Sequence, residues 1–139
     1  MLAGCFILEI ARMTVTPIYA GLLALLFLYL SSRVIRTRQR ERVSVGDADN
    51  KLMIKAMRTQ ANCAEYVPLG VILLALAELQ GAPGWGLHLL GLMLVAGRVL
   101  HAIGFGRTPQ IIPLRRTGMV LTLAMIAITA TANILHALI

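Results

Sequence analysis

The sequence predicts an all-α integral membrane protein built as an antiparallel bundle of four transmembrane helices. Of its 139 residues, 58% are hydrophobic and only 14% are charged, whereas soluble domains carry about a quarter charged residues. Four apolar runs are each long enough to cross a bilayer, which takes about 20 residues. The connections between the runs are short, which makes successive helices antiparallel neighbours. Residues 13–139 are expected to form this single domain.

The first helix is predicted over residues 14–36. Its apolar run begins near Val15, and Pro17 is tolerated there because the first turn of a helix needs no donor at that position. The run stops in a dense series of arginines, which is a stop-transfer pattern and argues against a cleavable signal. These residues are Arg33, Arg36, Arg38, Arg40 and Arg42.

Residues 1–12 are set apart as an N-terminal extension. Glu9 and Arg12 would interrupt a membrane span if the extension continued the first helix. Two interpretations stay open for this segment: Met13 is the natural start, or the extension is a short stretch at the membrane interface. No role is assigned to it.

The second helix is predicted over residues 50–79, with Asp49 or Asn50 as its N-cap. The turn at 80–84, which contains two glycines and a proline, closes it. The third helix is predicted over residues 86–106 and the fourth over 114–138.

The charges of the connections predict the orientation. Residues 37–49 and 107–113, with the adjoining helix ends, hold most of the arginines, whereas the connection between the second and third helices holds no Lys or Arg. Basic loops stay on the cytoplasmic side. Both basic loops are therefore expected in the cytoplasm, with the two termini on the opposite side. Since the arginines adjoin apolar spans, the net charge of +7 indicates lipid head groups and argues against nucleic acid as a partner.

Polar residues inside the spans mark a candidate site. At 100° per residue, five side chains on the second helix form one polar stripe within about 80° of arc; they are Lys51, Lys55, Arg58, Asn62 and Glu65. On the third helix Arg98 and His101 share a face. One interpretation is a structural ion pair between Glu65 and Arg98 that joins the two helices. A single acid cannot neutralise all the nearby arginines, however, so the site is also expected to bind an anion with carboxylates. These arginines are Arg58, Arg98, Arg115 and Arg116.

The remaining polar and small residues are interpreted structurally. The three histidines lie on separate helices or opposite sides, so no metal site is expected. Cys63 points about 120° away from the polar stripe, which argues against a nucleophile. The glycines of the third helix are expected to allow close helix approach; they are Gly91, Gly97 and Gly104. On the fourth helix, hydrogen bonds to a neighbouring helix or subunit are expected from Thr122, Thr129, Asn133 and His136.

Taken together and in order, four segments resemble the MAPEG family, the membrane-associated proteins in eicosanoid and glutathione metabolism. The resemblance runs from about Met13 to the C-terminus and is closer to the small bacterial branch than to the mammalian prostaglandin or leukotriene synthases. It implies that the protein lies in the bacterial inner membrane. The segments are Arg58-Thr-Gln-Ala-Asn62-Cys-Ala-Glu65-Tyr-Val-Pro68, Glu78-Leu-Gln-Gly-Ala82, Gly97-Arg98-Val-Leu-His101-Ala and Arg115-Arg-Thr-Gly118-Met-Val-Leu-Thr122.

The resemblance implies a homotrimer that binds glutathione between adjacent subunits near the cytoplasmic side. By position, it implies that the tripeptide is held by Arg58, Asn62, Glu65, Arg98 and His101. Arg115 matches an arginine that stabilises the thiolate, and Arg36 resembles a first-helix arginine that reaches the cofactor. Phe105 stands where many relatives have a tyrosine, so thiolate stabilisation would rest on Arg115 or Arg116.

The leading functional hypothesis is a glutathione-dependent transferase or peroxidase. Its second substrate would be a hydrophobic electrophile or lipid peroxide dissolved in the bilayer. A non-catalytic glutathione- or lipid-binding scaffold is the first alternative, because Phe105 cannot donate to sulfur. A small four-helix exporter, in which Glu65 would trade protons for substrate, is the second.

Overall fold

In a computed structural model, four long antiparallel helices account for nearly all of the part of the chain that is described, residues 13–139. They are α1 (Thr16–Arg40), α2 (Lys51–Leu79), α3 (Gly84–Gly106) and α4 (Ile112–Leu138). Each is long and apolar enough to cross a membrane. The predicted fold class is therefore confirmed. The extension at residues 1–12 lies outside the described residues.

The helix ends follow local hydrogen bonding. Asn50 is the N-cap of α2, and its side-chain oxygen accepts from the backbone N–H groups of Leu52 and Met53. α1 continues to Arg40, one turn beyond the predicted end. Near that end Arg38 donates to three backbone carbonyls of the following loop. These bonds fold the loop back on the last turns of α1.

The helices are arranged as a diamond in cross-section. α2 and α3 pack against each other, and each of them also packs against both α1 and α4. α1 and α4 make no contact with each other within residues 13–139, so they occupy opposite corners. The larger apolar cluster joins all four helices; its buried members are Val15, Tyr19, Leu23, Leu74, Ala77, Leu87, Leu94 and Met125.

The α3–α4 contact is the most extensive in the bundle and depends on glycine. A Cβ atom on Gly97 would lie 2.6 Å from the hydroxyl oxygen of Thr122 and 2.9 Å from the carbonyl oxygen of Gly118. A Cβ atom on Gly118 would meet the backbone of Gly97 and His101. The expectation that the α3 glycines allow close helix approach is confirmed, and Gly118 supplies the matching surface on α4.

Polar residues of α4 connect it to α2 and α3. Thr122 accepts from Arg98, and the Asn133 side chain donates to the carbonyl of Leu73 at 3.0 Å. The His136 ring lies 2.8 Å from the carbonyl oxygen of Gln80. For these three residues the expected hydrogen bonds to a neighbouring helix are present, whereas the Thr129 hydroxyl donates within α4, to Met125.

Glu78, in the last turn of α2, caps the first turn of α1. Its carboxylate accepts three backbone N–H groups, from Thr14 at 2.6 Å and from Val15 and Thr16 at 2.7 Å. The first turn of α1 contains no acidic residue of its own. Because the N-terminus of a helix carries partial positive charge and free donors, the carboxylate stabilises it from a neighbouring helix.

Glu78→Gln is therefore expected to lower the free energy of unfolding by about 1–2 kcal/mol, because an amide offers one neutral acceptor in place of a carboxylate that binds three donors. Thermal unfolding of the purified protein in detergent measures the loss. Asp49→Asn is the matched control, since Asp49 is exposed. Equal stability of Glu78→Gln and the control would show that the cap contributes nothing.

Candidate functional site

Arg98 is the buried centre of a cluster of side chains from three helices. Its other members are Asn62, Tyr66, Met119 and Thr122. Only 2% of its surface is exposed. Its Nε donates to the Thr122 hydroxyl at 3.0 Å, and its Nη1 donates to the Asn62 side-chain oxygen at 2.6 Å. Its Nη2 lies 3.3 Å from the Met119 sulfur, and the guanidinium lies 5.2 Å from the centroid of the Tyr66 ring. One side chain of α3 thus ties α2 and α4 together.

Glu65 does not pair with Arg98. Within residues 13–139 the only ion pair joins Arg40 to Glu41, and Glu65 is exposed. The structural ion pair between Glu65 and Arg98 considered above is therefore wrong for the single subunit. The physical reason is the rotation of α2, which turns Asn62 toward Arg98 and leaves Glu65, about 60° farther round the helix, on the exposed surface. Arg98 is a buried cation with neutral partners.

The polar stripe of α2 divides into two rows. Lys55 and Asn62 are seven residues apart. Asn62 contacts Arg98 of α3, and the Lys55 ammonium donates to the connection after α3, to the carbonyl of Arg107 at 2.9 Å and to the Thr108 hydroxyl at 2.8 Å. Lys51, Arg58 and Glu65 follow one another at intervals of seven residues, and all three are exposed. Within the subunit, the first row secures the helix contact, while the second presents two cations and an anion on the outer surface of α2.

His101, Phe105 and Arg115 form a column of flat groups. The His101 and Phe105 rings are nearly parallel, with centroids 5.8 Å apart and an angle of 10° between their planes. The Arg115 guanidinium carbon lies 4.7 Å from the Phe105 centroid, and Nη1 of Arg115 donates to the Gln110 side chain at 3.1 Å. His101 is buried and Arg115 is exposed, so the column leads from the interior to the surface.

The structure brings some of the candidate residues together and leaves others apart. Asn62 and Arg98 are in direct contact, and His101 connects to Arg115 through Phe105. No hydrogen bond or ion pair within residues 13–139 joins the other candidates to these groups; they are exposed, and they are Arg36, Arg58, Glu65 and Arg116. Arg36 lies on α1, which does not touch α4.

Two members of the cluster were missed in the sequence, Tyr66 and Met119. Tyr66 lies four residues after Asn62, which is the spacing of neighbours on one helix face, so this signal was present. Met119 gave no signal, since an apolar residue in an apolar helix looks like any other. Among the described residues, no three His, Cys, Asp or Glu side chains come together as a metal site would need.

Comparison with known proteins identifies the family of the chain. The MAPEG family model matches residues 16–135. The inner membrane protein YecN of Escherichia coli K12 is 35% identical over 120 residues, which cover 86% of this chain and 90% of that protein. YecN of Escherichia coli O6:H1 matches to the same extent. With four helices able to span a bilayer, the chain is an integral protein of the inner membrane. It belongs to the MAPEG family of glutathione-associated membrane proteins.

Proposed function

We propose that this protein is a glutathione-dependent membrane transferase or peroxidase that acts on hydrophobic electrophiles or lipid peroxides. The observation that supports it most directly is the Arg98 cation, buried across three helices without a carboxylate. Keeping a guanidinium away from water is costly. Arg98 contacts Asn62 of α2, and Arg58 and Glu65 lie on the exposed surface of α2. This combination of charged groups suits a charged ligand.

The exposed groups of α2 match the chemistry of glutathione, which carries two carboxylates and an amine. The Arg58 guanidinium can bind a carboxylate through two parallel hydrogen bonds. Glu65 can accept from the ammonium group. Asn62 offers an amide whose position is fixed by Arg98. The residues present therefore fit the tripeptide, with Arg98 as the group that orients Asn62 beneath it.

The proposed site lies between subunits of a homotrimer. Within one subunit α1 and α4 occupy opposite corners of the diamond, so Arg36 of α1 and Arg115 of α4 do not line one site there. A neighbouring subunit can bring the first-helix arginine of one copy to the α4 arginine of another. The exposure of Arg58 and Glu65 on α2 is consistent with a surface that a second copy covers.

Arg115 is the proposed catalytic residue, with Arg116 as the second candidate. Bound glutathione supplies the nucleophile, a thiolate whose sulfur bonds to the electrophilic carbon as the leaving group departs. A guanidinium beside the sulfur favours the anion. Phe105 cannot donate a hydrogen bond, but it holds Arg115 by stacking. The same contact is not found for Arg116, which is exposed.

Turnover of a water-insoluble aryl halide by the purified protein, with and without glutathione, tests the proposal. Glutathione-dependent release of halide together with saturable glutathione binding by calorimetry is the expected result. Binding without turnover of either an aryl halide or a lipid hydroperoxide would instead identify a non-catalytic glutathione-binding scaffold. Absence of both would reject the glutathione site itself.

Arg115→Ala is expected to reduce turnover at pH 7 by up to about tenfold for each unit by which it raises the pKa of the bound thiol, because the thiolate fraction falls by that factor at most. Since the cation favours the thiolate, its removal shifts the thiol toward its ordinary value of about 8.5. Activity should recover as the pH rises above that value. Titration of the thiolate ultraviolet absorbance in the bound complex measures the shift.

Arg107→Ala is the matched control for this titration, since Arg107 is an exposed arginine of the connection that precedes α4. Arg116→Ala shows which of the two adjacent arginines acts on sulfur. Identical titration curves for wild type, Arg115→Ala and Arg116→Ala would remove both arginines from catalysis and favour the scaffold.

A further inference from the structure

A second basic site lies on the α1–α3 face, apart from the candidate glutathione residues. A cleft of about 360 Å³ opens there between the two helices. Its lining changes from apolar to basic toward the end of the bundle that carries the two arginine-rich connections; the lining residues are Tyr29, Arg33, Ala102, Ile103, Gly106 and Arg107. Tyr29 and Ile103 are exposed, at 56% and 40%, so the apolar part of the cleft is open at the surface of the subunit.

A smaller cleft of about 130 Å³ adjoins the first. The two clefts share Arg33 and Gly106, and the smaller one adds Arg40 and Lys55 to the lining. Within the described part of the chain, the only acid that lines the smaller cleft is Glu41, which already pairs with Arg40 at 3.7 Å and accepts from Asn50. Four cations and one committed carboxylate therefore border the joined clefts.

The Arg33 guanidinium is poorly satisfied where it lies. Among the described residues its single hydrogen-bond partner is the carbonyl of Gly106, at 3.4 Å. A guanidinium has five N–H donors, so most of its capacity is unused. Gly106 leaves room for it, since a Cβ atom there would lie 2.8 Å from Nη1 of Arg33.

We propose that the joined clefts bind one anionic phospholipid, with its phosphate at Arg33 and Arg107 and an acyl chain along Tyr29 and Ile103. The apolar groove and the cations are continuous, as in a molecule that has a charged head and an apolar tail. Arginine suits phosphate because its donors match the oxygens in pairs. Tyrosine is common at the level of lipid head groups.

Native mass spectrometry of the detergent-purified protein tests the site, with phosphatidylglycerol and phosphatidylcholine of identical acyl chains as probes. Wild type is expected to retain phosphatidylglycerol several-fold more strongly. Arg33→Gln and Arg107→Gln should each weaken that binding about fivefold, the usual effect of one cation near an anionic lipid. They should weaken phosphatidylcholine binding less, because its choline cation offsets the charge of its phosphate. Arg42→Gln is the matched control, since this exposed arginine lines neither cleft.

Three outcomes would overturn the proposal. Equal retention of the two lipids would show that charge is not recognised. A loss for Arg42→Gln as large as that for Arg33→Gln would indicate diffuse attraction instead of a cleft. Displacement by millimolar inorganic phosphate would identify a free-phosphate site. Circular dichroism checks folding, and Arg107→Gln keeps the test decisive if Arg33→Gln does not fold, because the Arg107 side chain is exposed.

Discussion

Gly118→Ala is expected to force α3 and α4 apart and to lower the free energy of unfolding by about 3 kcal/mol, the upper part of the range for overpacking. The added methyl group would meet the carbonyl oxygen of Gly97 and the backbone of His101. Backbone atoms cannot rotate away as a side chain can, so the helices themselves must move. Titration with sodium dodecyl sulfate in mixed micelles measures the change in stability.

Gly21→Ala is the matched control for this substitution. Gly21 lies in α1, and among residues 13–139 a methyl group added there would have no neighbouring atom within 4 Å. Alanine is favoured over glycine in helices by about 0.5–1 kcal/mol. The control should therefore be as stable as wild type or more stable. Equal behaviour of the two variants would show that the α3–α4 interface tolerates separation.

Arg98→Ala is expected to cost about 3 kcal/mol, since it removes charge-assisted hydrogen bonds and leaves Asn62 and Thr122 without their donor inside the bundle. Arg98→Lys should recover only part of the loss. A compact ammonium on a flexible stem does not reach Asn62, Thr122 and Met119 in the fork geometry of arginine. Glutathione binding should weaken in both variants, because Asn62 is no longer held in place.

Glu65→Gln separates this explanation from an ion pair. If Arg98 is held by Asn62 and Thr122, neutralising the exposed Glu65 leaves stability within about 0.5 kcal/mol of wild type. An ion pair would make Glu65→Gln nearly as destabilising as Arg98→Ala, and that result would contradict the network. A double-mutant cycle between Arg98→Ala and Asn62→Ala should show strong coupling, since the two side chains are in contact.

The fold followed from hydropathy, because a bilayer leaves few alternatives to four apolar helices joined by short connections. The hydrogen-bond partners of the polar residues could not be predicted from hydropathy. Asn62 and Glu65 differ by only about 60° around α2, yet one contacts Arg98 and the other is exposed. How far each helix is rotated toward its neighbours decides between such positions, and this rotation depends on contacts across the whole bundle.

The Glu78 cap on α1 could not be predicted from the sequence for a related reason. Glu78 lies more than 60 residues from the backbone groups that it accepts from, and no local signature links an acid at one helix end to the start of another. In contrast, the Asn50 cap could be predicted, since its donors come from the next turn of the same helix. Local capping can be predicted from sequence, whereas capping across helices needs the topology.

The Glu78 cap also bears on how the chain is made. Ribosomal synthesis delivers α1 first, and until α2 is complete the N–H groups of Val15 and Thr16 lack the carboxylate that accepts them in the finished bundle. Unpaired backbone donors are costly in a membrane. The second helix brings that acceptor in its last turn. The two helices are therefore expected to leave the insertion machinery together as a hairpin, after α2 has supplied the acceptor for the start of α1.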